Sequence, residues 1–168
     1  MFEEGTIWAY PTDTSFGLGV RIDDGVMLDR LFDLKGREKN KPVSLMVKNF
    51  EMLQQYANVP EDLEEKFFFE KPRTVILKPT EALPKSDYWP EDKVAFRICT
   101  MPAVAEYIDV PITATSANLS GESPIFEIQK LKDQFSEELN ICCMFSELPE
   151  RDPSEIYDFT TSARSRLR

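Results

Sequence analysis

The stretch Ile112-Thr113-Ala114-Thr115-Ser116-Ala117-Asn118-Leu119-Ser120-Gly121 passes from a β-prone run to small hydroxyl and amide side chains and closes on glycine. β-Branched residues suit a pleated, partly buried strand, whereas serine, asparagine and glycine suit tight loops and leave backbone N–H groups free to meet an anion. The stretch therefore predicts a strand from Ile112 to Thr115 that opens onto a polar loop. That loop reads either as an ordinary strand-to-loop turn or as a surface on which a ligand approaches the backbone closely.

Working outward, the same kind of boundary recurs. Thr6 to Tyr10 predicts a first strand, and Pro11-Thr12-Asp13-Thr14-Ser15-Phe16-Gly17-Leu18-Gly19 a second loop rich in hydroxyls and glycine. From Asp24 to Lys35 the apolar Met27, Leu28, Leu31, Phe32 and Leu34 follow helical spacing, with a stop at Gly36. Val43–Val47, Thr74–Leu77, Val94–Ile98 and Ile141–Phe145 read as further strands. Helical patterns fall at Asn49–Ala57, Glu61–Phe69 and Ala103–Ile108, and Ser123-Pro124 offers an N-cap and first turn for a helix to Phe135. Pro79, Pro84 and Pro90 punctuate a long connection that reads as a flap, and Asp152 to Arg168 reads as an excursion or tail. Strands alternating with helices predict an α/β domain with a mixed sheet and a ligand crevice where strand-end loops converge.

Composition narrows the chemistry. A length of 168 residues fits one domain, residues 1–168, with one core. No segment approaches the roughly 20 apolar residues of a membrane span, and the acidic start Met1-Phe2-Glu3-Glu4 lacks the basic region of a secretory signal. Cys99, Cys142 and Cys143 have no Cys-x-x-Cys spacing, which fits a reducing cytoplasm and neither a disulfide framework nor a zinc site. Histidine is absent, which excludes Ser-His-Asp and Cys-His nucleophilic centres and every histidine-based metal motif. The net charge of −10 argues against coating nucleic acid with the whole surface, yet Lys35-Gly36-Arg37-Glu38-Lys39-Asn40-Lys41 holds four cations against one acid. Lys35 and Arg37, at a helix end, fit two roles. They can converge on a phosphate and neutralise charge developing at phosphorus, or they can complement the helix dipole.

Three loops in order carry a family resemblance: Pro11-Thr12-Asp13-Thr14 with Phe16-Gly17-Leu18-Gly19, Lys35-Gly36-Arg37 with Lys41-Pro42, and Ser116-Ala117-Asn118 with Ser120-Gly121. Together they resemble the YrdC-like family, the threonylcarbamoyl-AMP synthases, from about Gly5 to Ser123 and again at Pro153-Ser154-Glu155-Ile156. The resemblance implies a twisted mixed parallel and antiparallel sheet flanked by helices, with a concave, positively lined groove for ATP and L-threonine. It implies synthesis of threonylcarbamoyl-adenylate and pyrophosphate from L-threonine, bicarbonate and ATP, with Mg2+ helping to hold ATP. The product supplies the threonylcarbamoyladenosine modification of tRNA, together with other tRNA-modification proteins.

By that resemblance Lys35 and Arg37 are the catalytic, phosphate-contacting pair, and Ala114, Ser116, Asn118, Ser123 and Arg168 complete the nucleotide site. Thr12, Arg97 and Ser154 fall at amino-acid substrate positions, and no residue is assigned to a metal. Met46 stands where many relatives carry a histidine, and Lys93 where they carry threonine. Two other functions share the groove: a non-catalytic paralog that binds nucleotide or double-stranded RNA, and transfer of a carbamoyl group through a carbamoyl-adenylate. Asp13 reads as an Asx-type turn residue or a metal ligand.

Overall fold

The computed structural model describes residues 2–135, 139–141, 145–161 and 164–168. Its strands are β1 (Trp8–Pro11), β2 (Phe16–Gly19), β3 (Ser44–Val47), β4 (Arg73–Leu77), β5 (Val94–Ile98), β6 (Ile112–Ser116), β7 (Asn140–Ile141), β8 (Glu155–Asp158) and β9 (Ser165–Arg166). They form one sheet in the order β7-β1-β2-β6-β3-β5-β4-β8-β9. The sheet is mixed: β3 runs parallel to β5 and β4 to β8, while β1–β2, β2–β6, β3–β6 and β4–β5 are antiparallel.

Side chains of β3 alternate between two buried clusters, as a period of two requires. Leu45 and Val47 join the large core with Phe16, Leu18, Leu31, Phe32 and Phe96. Met46 faces the other way, to Phe2, Tyr10, Val104, Ile108 and Ile112. The principal helix, α1 (Gly25–Lys35), begins where the Asp24 carboxylate accepts from Met27 N–H and ends at Gly36, which adopts φ 58°. Only a residue tolerant of that left-handed conformation closes a helix so sharply. Helix α2 (Phe50–Tyr56) is capped in the same way by the Asn49 side chain.

Several elements depart from the sequence reading. Phe16–Gly19 is strand, because its glycines answer a packing need. A Cβ at Gly19 would lie 2.7 Å from Thr113 O and 2.8 Å from Tyr10 Cε1. The buried Tyr10 ring fills that space and its hydroxyl donates to Thr113 O at 3.0 Å. Of the helix expected over Glu61–Phe69, only α3 (Phe67–Glu70) forms, preceded by a turn in which Leu63 N–H donates to Pro60 O. The helix expected over Ala103–Ile108 is α4 (Pro102–Ala105), followed by tighter turns at Tyr107 and Ile108.

Ser123-Pro124 does not start a helix. Residues beyond it bridge neighbouring segments, with Ile125 N–H on Ala117 O and Leu148 N–H on Phe126 O, so that α5 covers Ile128–Phe135. β7 stops at Ile141 and Phe145 is exposed, while Cys142 and Cys143 lie outside the described residues. The connection expected as a flap is anchored by buried Leu83, Tyr88 and Trp89, and Tyr88 O accepts from Val43 N–H at 3.0 Å. The expected tail instead supplies β8 and β9 to the sheet. No described helix is long and apolar enough to cross a membrane.

Candidate functional site

The ends of β1, β2, β3 and β6 surround a cavity of about 390 Å³, walled on its far side by Arg97, Thr74, Ser154 and Ile156. Arg37, Arg97, Arg151 and Arg168 all line it, and among the described residues no aspartate or glutamate does. In a chain of net charge −10 that is a pronounced local segregation. Low-dielectric walls concentrate the field of such a cluster on whatever anion enters.

Arg37 reaches the cavity because Gly36 turns the chain out of α1. Its Nε donates to Lys41 O at 3.1 Å and an Nη to Pro42 O at 2.8 Å, and the guanidinium lies 5.8 Å from the Phe32 ring centroid, so among the described residues no carboxylate pairs with it. Arg168 is similar, with Nε donating to Ser154 O at 3.0 Å. Ser154 Oγ is paired with Thr74 Oγ1 at 2.8 Å, a buried bond that ties β8 to β4. Arg97, on β5 beside Met46 of β3, donates through an Nη to Asp13 Oδ1 at 2.5 Å, and its buried Nε has no partner.

Asp13 therefore serves as the counter-ion of Arg97. Thr12 is the residue that folds its loop: Thr12 Oγ1 accepts from Thr14 and Ser15 N–H and bonds Ser15 O at 2.8 Å.

Of the residues picked out in the sequence, Thr12, Arg37, Arg97, Ala114, Ser116, Ser154 and Arg168 line the cavity. Lys35, Asn118 and Ser123 do not, and Ser123 is exposed. Lys35 is 2% exposed. Its Nζ donates to Ser116 O and Asn118 O, each at 2.6 Å, and its own carbonyl accepts from Ser120 N–H at 2.8 Å. These bonds staple the end of α1 to the loop that follows β6. Burial, with a smaller contribution from the Arg37 guanidinium, pushes Lys35 down to about 8. The Asn118 amide donates to Leu119 O and Glu122 O and so closes that loop on itself.

Met46 also lines the cavity, whereas Lys93 does not. Arg151 is the cavity cation that sequence reasoning missed. It is a single arginine in the acidic run Pro149-Glu150-Arg151-Asp152-Pro153, where no local pattern marks it. Among the described residues no group of three or more Asp, Glu, Cys or His is placed to hold a metal ion.

A mixed α/β sheet whose strand ends gather arginines around a cavity with no aspartate or glutamate among its described lining is chemically suited to polyanionic small molecules. The particular lineage follows from comparison with known proteins. The family profile Sua5_yciO_yrdC, described as "Telomere recombination", matches residues 1–168, and the chain belongs to this family. It is 32% identical over 169 residues to a threonylcarbamoyl-AMP synthase of Vibrio vulnificus, covering 95% of this chain and 90% of that one. A putative threonylcarbamoyl-AMP synthase of Methanocaldococcus jannaschii is 36% identical over 132 residues, covering 75% and 62% of the two chains. The structure of P. abyssi Sua5 complexed with L-threonine superposes with a TM-score of 0.86 at 29% identity. That match covers 98% of this chain, which spans about half the length of the Sua5 chain.

Proposed function

We propose that the protein is a threonylcarbamoyl-AMP synthase, joining L-threonine, bicarbonate and ATP to give threonylcarbamoyl-adenylate and pyrophosphate. The observation that carries this reading is the cavity with four arginines and, among the described residues, no aspartate or glutamate. The threonine amine adds to the carbon of bicarbonate with loss of water, and a carbamate oxygen then attacks the α-phosphorus. The P–O bond to the β-phosphate breaks and pyrophosphate leaves. Attack of one anion on another needs fixed orientation and cationic neutralisation more than it needs a protein nucleophile.

Arg37 and Arg168 supply unbalanced positive charge for the phosphates, and Thr12 and Ser116 supply polar groups at the strand ends. Arg97, which lines the cavity, offers its remaining Nη donors to the amino-acid carboxylate. Lys35 acts through the loop it braces, holding Ser116 against the cavity. Mg2+ takes oxygen ligands and usually one or two carboxylates. The cavity offers none, so the residues present do not form a resident Mg2+ site, and the ion would arrive as the counter-ion of ATP. The product passes in the cytoplasm to partner proteins that transfer the threonylcarbamoyl group to tRNA adenosine.

The test is pyrophosphate release that requires ATP, L-threonine and bicarbonate together. Arg37→Ala should lower kcat/KM by about 10- to 100-fold, equivalent to ~1.4–2.7 kcal/mol of transition-state stabilisation. No release above background from the wild-type protein would defeat the reading. The same arginines favour a second reading, RNA binding in the groove. That reading requires affinity that falls steeply with salt, because phosphate contacts release counter-ions.

A further inference from the structure

The segment 149–153 runs from Leu148, bonded to Phe126 O, to Ser154 and the start of β8; its Arg151 and Pro153 line the cavity, and Arg151 is bonded to the 12–15 turn. Prolines at both ends, Pro149 and Pro153, fix φ and hold it as a stiff strap. Arg151 sits at its centre. Among the described residues its guanidinium makes one long hydrogen bond, an Nη donating to Asp13 O at 3.4 Å, and no ion pair.

The neighbouring Glu150 and Asp152 do not line the cavity. They line an adjoining open pocket with Lys71 and Glu155. Arg151 lines the cavity, that adjoining pocket and a third pocket behind Asp13. It therefore borders all three openings and shares the lining of the cavity with Arg37 and Arg168. An arginine left in this state has donors to spare for a planar, bidentate oxyanion contact.

We propose that Arg151 is an oxyanion ligand of this cavity, carried on a strap at its edge and completing the ring of donors around the bound substrate. The proposal rests on the reading of the cavity as a site for ATP and L-threonine. Both substrates carry oxyanions, a phosphate in one and a carboxylate in the other, and Arg151 bonds one of them when the cavity is filled. The turn that holds Arg97 also holds Arg151, through the Asp13 carboxylate and carbonyl respectively. Arg97 is paired with the Asp13 carboxylate, whereas Arg151 meets only the Asp13 carbonyl, so its guanidinium keeps more donors for an incoming anion.

The experiment is calorimetric titration of wild-type protein, Arg151→Ala and Arg151→Gln with ATP, inorganic tripolyphosphate and L-threonine. Both variants should keep the wild-type Tm, since a single 3.4 Å bond is lost. They should weaken one class of ligand about tenfold, which is ~1.4 kcal/mol. Loss for ATP and tripolyphosphate with threonine unchanged assigns the contact to phosphate. Loss for threonine alone assigns it to carboxylate. Wild-type affinities retained for all three ligands in both variants would overturn the role of Arg151 and leave the cavity reading standing. A wild-type protein that binds neither ATP nor threonine would overturn both.

Discussion

Replacing Lys35 by Met tests whether the buried ammonium is a brace. Met keeps the length and most of the volume of the lysine stem but offers no donor to Ser116 O or Asn118 O. Hydrogen bonds from a charged group contribute about 1.5–3 kcal/mol each, and a buried acceptor left without its donor costs about 1–3 kcal/mol. Against this stands relief of the cost of burying the ammonium. The expected net loss at pH 7 is about 2–4 kcal/mol, read from urea unfolding.

The pH dependence gives a sharper signature. The unfolded chain holds the lysine proton up to about 10.5, whereas the folded chain releases it near 8. Between those values the unfolded state binds more protons, so folding stability rises with pH. A neutral amine still has two N–H donors for the two carbonyls, so releasing the proton keeps both bonds. The stability gap between wild type and Lys35→Met should therefore be flat below pH 8 and widen by at most about 3 kcal/mol toward pH 10.5, at ~1.4 kcal/mol per pKa unit. All other titrating groups are common to both proteins and cancel. A gap that narrows with rising pH, or a variant as stable as wild type at pH 7, would refute the brace.

Two further substitutions probe the same walls. Gly19→Ala places a methyl group 2.7 Å from Thr113 O and should cost about 1–3 kcal/mol in thermal melts, with Gly17→Ala, whose nearest contacts are 3.2–3.3 Å, costing less. Equal stability of the two variants would remove the close-approach argument for β2. Asp13→Asn leaves Arg97 without its counter-ion and should destabilise the protein by about 1–3 kcal/mol, discounted from a fully buried pair because both side chains keep some exposure, 13% and 17%. The variant's KM for threonine should change while the KM for ATP holds, and a shift confined to ATP would place Arg97 at the other substrate.

Helix α1 was legible to its ends because its signals are local: Asp24 caps, apolar residues recur on one face and Gly36 stops it. The order of the three loops was equally legible, and it led to the family. What escaped depends on distant partners. Gly17 and Gly19 look like loop residues until the Tyr10 ring is in place against them. Glu155-Ile-Tyr-Asp158 has no strong strand pattern of its own, and it becomes β8 through parallel pairing with β4 and the tie between Arg73 and Glu155. Phe67 meets Tyr157 and Phe159 edge-to-face, which packs the short α3 against β8 and the residue that follows it.

In the site, hydroxyls and cations could be named from their motifs, but not their division of labour. Lys35 and Arg37 are two residues apart, yet one lies inside the protein and the other in the cavity, because Gly36 between them reverses the chain. Arg151 enters the wall only through the path of its strap.

The bonds around the cavity close very long loops: Lys35 to Ser116 and Asn118 spans 81 and 83 residues, Thr74 to Ser154 spans 80, Arg97 to Asp13 spans 84 and Arg151 to Asp13 spans 138. Such contacts are entropically expensive and form slowly. The pocket therefore assembles no earlier than the long-range pairings of the sheet, such as Gly17 with Ser116 and Arg73 with Glu155, and ligands cannot guide the steps that precede them. Their kinetic influence falls on the reverse process: a nucleotide bridging these late-formed walls retards unfolding while leaving the folding rate nearly unchanged. Substrate supply would set how long each molecule survives rather than how quickly it matures.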